Sequence, residues 1–258
     1  MILPRILPSR FLGSMLGLFA LFIAPAAARA FDHEHTDFTS VLGAVVSDKR
    51  IDYAALKKDP VGLDAYLKTL AAVSESGFQS WSKDEQLAYL INLYNAATIK
   101  LVVDHYPVKS IKDIGGLFSG PWKQEVVDLF GEKVTLDHIE HGIVRVNYTE
   151  PRAHFGLVCA SIGCPPLRAG AFSATKLGAQ LDEQGRVFFA EKTKNRVEGG
   201  VLYLSPIFDW FAGDFTKKGG TIEAFVAPYF SDEVDRRAVA AGGLKVKFTD
   251  YDWSLNRQ

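Results

Sequence analysis

Apolar residues recur along the chain at helical spacing in some stretches and alternate or cluster in others, and these patterns divide it into elements. Phe38, Val41, Leu42 and Val45 fall on one helical face that ends near Ser47-Asp-Lys-Arg50, and Leu63, Tyr66, Leu67 and Leu70 repeat the pattern. Between them, residues 51–56 read as a short extended or turn-like piece before Pro60. Ser82-Lys-Asp-Glu85 has the form of a capping box, which predicts a helix that starts there and is stopped by Pro107. Apolar residues fall nearly all round this helix, so it should be buried on most sides. Asn92 and Asn95 share one of its faces, and a buried amide left without partners costs on the order of 1–3 kcal/mol. They bond neighbouring backbone, as residue type favours, or they orient a catalytic imidazole or donate to a developing oxyanion.

Residues 109–121 are rich in turn formers, with Gly115, Gly116, Gly120 and Pro121, and read as a loop over a cleft. A hairpin around Gly131 comes next, and then Thr135 as the cap of a helix over 136–146. On that helix Leu136, Ile139, Ile143 and Val146 should dock on the core, with His138, His141 and Arg145 on the opposite side, facing solvent or the wall of a site. The run His154-Phe-Gly-Leu-Val-Cys159 reads as a buried strand that presents Cys159 at its end, followed by a turn to Cys164, Pro165 and Pro166. Downstream lie a long helix over 173–192 with Leu177, Leu181, Val187 and Phe188 inward, and a hairpin over 196–204 split by Gly199-Gly200. An aromatic-dense stretch over 206–215 holds Asp209 and Asp214, and its rings are of the kind found more often in a core than in a ligand platform. A helix over 222–230 and a strand over 244–248 complete the pattern. The expected fold class is α+β: a helix-rich single domain over 31–258 with a small, mainly antiparallel sheet.

The first 30 residues differ from the rest. Arg5 and Arg10 give a positive start, residues 11–24 are almost unbrokenly apolar, and Ala26-Ala-Ala-Arg-Ala30 offers small residues at a peptidase's spacing. This predicts a signal peptide over 1–30, cleavage after Ala30, and an exported, periplasmic or secreted protein, with an uncleaved anchor as the rival. No later segment is long and apolar enough for a membrane span, which takes about 20 residues. Residues 31–36, with His33 and His35 flanking Glu34, read as a loose terminus, a weak metal clip being the alternative. The formal net charge of −1 and the lack of any long basic run argue against nucleic acid as a partner.

Both cysteines of the chain lie in the one stretch 159–164. In an oxidising compartment the default for such a pair is a disulfide, here closing a loop too short to add much stability. The alternative is a functional thiol: Cys159 as nucleophile with His141 as its base, a pairing recognised by geometry rather than by order along the chain. A metal site from His138, His141 and His154 lacks a clear carboxylate partner, and a C-x4-C spacing is not that of a thioredoxin-like redox motif.

Taken together, Tyr89-Leu-Ile-Asn-Leu-Tyr-Asn-Ala96, Ile139-Glu-His141 through Arg145, the His154 to Leu167 stretch, residues 207–215 and Tyr251-Asp-Trp-Ser-Leu-Asn256 resemble the domain-of-unknown-function family number 547, from about residue 80 to the end. The resemblance implies that Asn92, Tyr94, Asn95, Glu140, His141, Arg145 and Cys159 belong to the family pattern. Cys164 lies where some relatives carry Ser or Asp, which points to Cys159 as the common element. By analogy the set is similar to papain-like or transglutaminase-like thiol folds in permuted order. The expectation is then Cys159 as nucleophile, His141 as base and Asn95 or Glu140 orienting the imidazole, for acyl transfer or amide hydrolysis on a peptide-like substrate. Arg145 would meet an anionic substrate group or hold the thiolate, with Asn92, Tyr94 and His154 on the substrate side. The alternative is a non-catalytic ligand-binding or interaction module for a peptide-like or small molecule, with a Cys159-Cys164 disulfide. Neither reading calls for a metal or cofactor.

Overall fold

The fold is built on one helix, Lys83–His105, in which residues 86–99 are all buried. Its start is fixed by a reciprocal cap: Ser82 Oγ accepts from the Glu85 N–H (3.3 Å), and Glu85 Oε2 accepts from the Ser82 N–H (2.7 Å). A computed structural model describes residues 30–116, 119–217 and 220–258, so the expected signal peptide lies outside the described residues but for Ala30.

Helices Tyr53–Lys58 and Val61–Ala71 pack on this axis, the first beside its carboxyl end at Tyr106, and Thr36–Val45 packs on Val61–Ala71. The Tyr53–Lys58 helix replaces the extended piece expected from the sequence, because Asp52 caps it by accepting from the Ala55 N–H (2.8 Å). Residues 31–36 are not a loose terminus. Phe31 stacks on Trp81 (4.8 Å between centroids), and His35 is buried, with Nδ1 2.7 Å from the Tyr66 hydroxyl.

After the hairpin Glu125–Leu129 with Glu132–Thr135, Thr135 Oγ1 accepts from the His138 N–H (3.0 Å), as a cap should. The helix it starts is a π-helix, His138–Val144, running into Arg145–Asn147. In i→i+5 winding Ile139 and Val144 share the inner face, so both are buried while Val146 stands 70 % exposed. A 3.6-residue period would place Val146 in the core; the wider turn carries it out.

The run before Cys159 is not a strand. Ala153–Gly156 makes one helical turn, and the extended residues after it pair with a side chain instead of a neighbouring strand. Asn95 Nδ2 donates to the Gly156 carbonyl (2.8 Å) and Asn95 Oδ1 accepts from the Val158 N–H (2.9 Å), so an amide stands in for the missing ladder. Asn92 does the same for Phe172, donating to its carbonyl (2.7 Å) and accepting from its N–H (3.0 Å).

The carboxyl-terminal half holds helix Leu177–Phe189 and a three-stranded sheet in which Val201–Leu204 pairs antiparallel with Arg196–Glu198 and parallel with Lys245–Phe248. The last residues thread back through the molecule. The Ile162 and Gly163 N–H groups donate to the Ser254 and Asp252 carbonyls, the Asn256 N–H to Ala160, and the Ile51 N–H to Asn256. Phe31–Gln258 forms one compact unit holding two apolar clusters, one around the long helix and one of Phe155, Phe188, Phe189, Phe208 and their neighbours. The architecture is helix-rich α+β with small, mainly antiparallel sheets. No helix among the described residues is long and apolar enough to cross a membrane.

Candidate functional site

A cleft of about 210 Å³ opens where side chains of the two apolar clusters meet, Leu157 and Cys164 from the first and Ile207 and Phe211 from the second. Tyr94, Glu140, His141, His154 and Cys159, five of the residues singled out from the sequence, line it together. The long helix supplies Tyr94, the π-helix supplies Glu140 and His141, and the helical turn at 153–156 supplies His154.

Cys159 and Cys164 are bonded to each other in the wall of this cleft, and Cys164 is buried. Ala160, just after the first sulfur, holds the left-handed conformation (φ 60°), which an alanine adopts at some cost. The ring of Tyr251 packs on Gly163, where a Cβ would come within 2.8 Å of it, so the turn needs a glycine there. The Ser161 hydroxyl donates to the Tyr251 oxygen (3.0 Å), and the Tyr251 hydroxyl in turn donates to Cys164 Sγ (3.2 Å) and lies 3.2 Å from Cys159 Sγ. Burial pushes the Tyr251 phenol well up, against a smaller opposing effect of the Ser161 bond, so it remains a proton-bearing donor at neutral pH. Tyr94 is raised likewise, by burial first and then by the Glu140 carboxylate.

The histidines differ in their surroundings. His154 is buried, stacks on Phe211 (4.2 Å between centroids), and gives Nε2–H to Asp214 Oδ2 (2.9 Å), with Glu140 3.9 Å from its other nitrogen. Burial alone would raise the Asp214 carboxyl, but hydrogen bonds from His154, Arg145 and Lys217 outweigh it and hold Asp214 well below the usual carboxylate range. His141 is more exposed, and its Nδ1 lies 3.0 Å from Arg145 Nη1. A guanidinium only donates, so Nδ1 of this imidazole accepts from it. Arg145 is thereby held between His141 and Asp214 beside the cleft and is not among its lining residues. Asn92 and Asn95 are also absent from the lining; their amides face the backbone of Phe172, Gly156 and Val158 rather than an imidazole. His138 is not a lining residue either, and no group of three metal-ligating side chains occurs among the described residues.

Residues 78–189 match a family described as Protein of unknown function, DUF547. No curated protein matches the chain, and no solved structure does. The DUF547 segment contains the long helix, the π-helix, His154 and both cysteines, and it ends before the 207–215 and 251–256 stretches that carry the rest of the expected resemblance. Those later stretches supply Asp214, Trp210, Tyr251 and Trp253, and with Asp137 and Trp122 they complete the site. Sequence reasoning gave none of them a role. The two carboxylates of the 206–215 stretch were the one available signal, and only the fold shows that Asp214 is the one that meets a histidine.

Proposed function

We propose that the protein is an exported ligand-binding module whose cleft, braced by the Cys159-Cys164 disulfide, takes a peptide-like segment or small molecule. The observation that carries this reading is the bond between the two sulfurs in the cleft wall: a thiol so engaged is no nucleophile. Around it the lining is mostly apolar and aromatic with a few polar groups, the usual make-up of a binding site. Mass spectrometry of the exported protein after iodoacetamide at pH 6 and pH 8 tests it. Both cysteines should stay unmodified until a reductant is added; alkylation of Cys159 without reductant overturns the reading.

A second reading rests on the His154 and Asp214 pair. A dithiol donor, itself oxidised to a disulfide, would reduce the bond and free both thiols. Cys159 would then attack an acyl carbon to form a thioester, its proton passing through an imidazole to the departing amine or alcohol, and water would release the acid from sulfur. Among the two cleft histidines His154 is the one oriented by a carboxylate, as such a base requires, whereas His141 is tied to Arg145. After reduction, His154→Ala should then abolish fast alkylation at pH 6 and His141→Ala should spare it. Slow alkylation already in the reduced wild type would dismiss this reading.

A further inference from the structure

The side chains of the cleft narrow the chemistry of what it would take, and this step rests on the ligand-binding reading above. Three of the four tryptophans of the chain, Trp122, Trp210 and Trp253, line the cleft with Tyr251. Their rings form a continuous patch: Trp210 and Tyr251 lie 4.9 Å apart between centroids, Tyr251 and Trp253 4.5 Å, and Trp122 and Trp253 5.8 Å. Trp210 is 47 % exposed, a large apolar surface left open to solvent.

Two carboxylates, Asp137 and Glu140, share the lining with these rings, and among the described residues no lysine or arginine does. Neither carboxylate has a lysine or arginine within 4.0 Å among the described residues. The basic neighbour of Asp137 is His141, 3.9 Å away, whose Nδ1 accepts from Arg145. That of Glu140 is His154, 3.9 Å away, whose other nitrogen is given to Asp214. Carboxylates with no lysine or arginine against them, beside the negative faces of aromatic rings, make a field that favours a cation and repels an anion. The chain itself already uses two neighbouring rings in this way. Lys112 Nζ sits 3.9 Å from the Trp253 centroid, and the Arg145 guanidinium 5.0 Å from that of Phe211, both from outside the lining set. Trp210 and Tyr251 carry no such cation among the described residues.

We propose that the cleft recognises an ammonium group, such as a lysine-type side chain on a peptide-like ligand, held between the Trp210 and Tyr251 rings and the Asp137 and Glu140 carboxylates. The three cleft tryptophans provide the readout. The full chain is titrated by tryptophan fluorescence with Nα-acetyl-lysine methylamide and with its uncharged counterpart, Nα-acetyl-norleucine methylamide. The lysine probe should bind about 10-fold more tightly, a factor within the range of a cation over aromatic rings. Raised salt should narrow the gap, and Asp137→Asn and Glu140→Gln should each reduce it while thermal unfolding shows the variants folded. Asp137 is part-exposed, so at least its variant should fold normally. Equal binding of the two probes overturns the ammonium proposal and leaves the binding module standing. Binding of neither probe overturns both.

Discussion

Asn95 holds two backbone groups at once, on the approach to Cys159, and that makes it a clamp rather than a partner of any imidazole. Asn95→Ala would leave the Gly156 carbonyl and the Val158 N–H buried without partners. It should cost about 2–4 kcal/mol, read from the urea midpoint of unfolding; a change under ~1 kcal/mol would mean that water replaces the amide. Asp214 gives a second test. Its carboxyl is depressed in the folded state, so the stability it contributes is complete above the ordinary range near ~3.9 and is lost as pH falls through the lower folded value. Asp214→Asn should therefore lose stability at neutral pH and unfold less steeply with acid below about pH 4, as urea midpoints across pH would show. An unaltered acid slope would speak against the pairing with His154, Arg145 and Lys217. At this scale the sequence was informative about which side chains are buried polar groups and silent about their partners. Asn92 and Asn95 announce themselves by sitting on an otherwise apolar helix, but Phe172 and Gly156 are 80 and 61 residues away.

The elements were legible wherever a local signal sets them. The Ser82 and Glu85 cap, the Gly131 and Gly199-Gly200 turns and the helix around Leu177 and Leu181 all form where the residues point. The π-helix was not legible, because nothing in a periodic pattern separates i→i+5 from i→i+4 winding over seven residues, and so the burial of Val146 was expected in error. The strand before Cys159 failed for a different reason: β-branched, apolar residues fit a buried extended segment whether its partner is a strand or an amide. The first helix offers a pH test of its docking. His35 at its N-cap is buried and held neutral, with burial lowering its value to about 4. Since the folded value lies below the unfolded one near ~6.5, this contribution is whole above that pH and is lost as pH falls towards 4, by on the order of 3 kcal/mol. In His35→Gln, which can still bond the Tyr66 hydroxyl, the loss between pH 6.5 and 4 should shrink. Unfolding curves that keep the full wild-type slope would place the titrating group elsewhere.

For the whole molecule, the site exists because distant stretches converge on one seam. The cleft draws on the helix that begins at Lys83, on the turn at 159–164 and on Tyr251 and Trp253 near the end of the chain. That is why composition and local pattern pointed to the cysteines and histidines but not to the aromatic wall. The disulfide spans only five positions, so by loop entropy it should contribute about 2 kcal/mol or less. The Cys159→Ser, Cys164→Ser double variant should remain folded with its midpoint roughly 5 °C lower by calorimetry. Outright unfolding would show that the bond does more than brace a turn already held by hydrogen bonds. Those bonds come from residues 252–256, which hold Ala160, Ile162 and Gly163 by their backbones. The consequence is one of timing. While the chain is being made, the long helix and both cysteines are available well before the segment that fixes their loop. The loop between the sulfurs, and the cleft with it, therefore takes its final form only when residues 252–256, made after it, have threaded home.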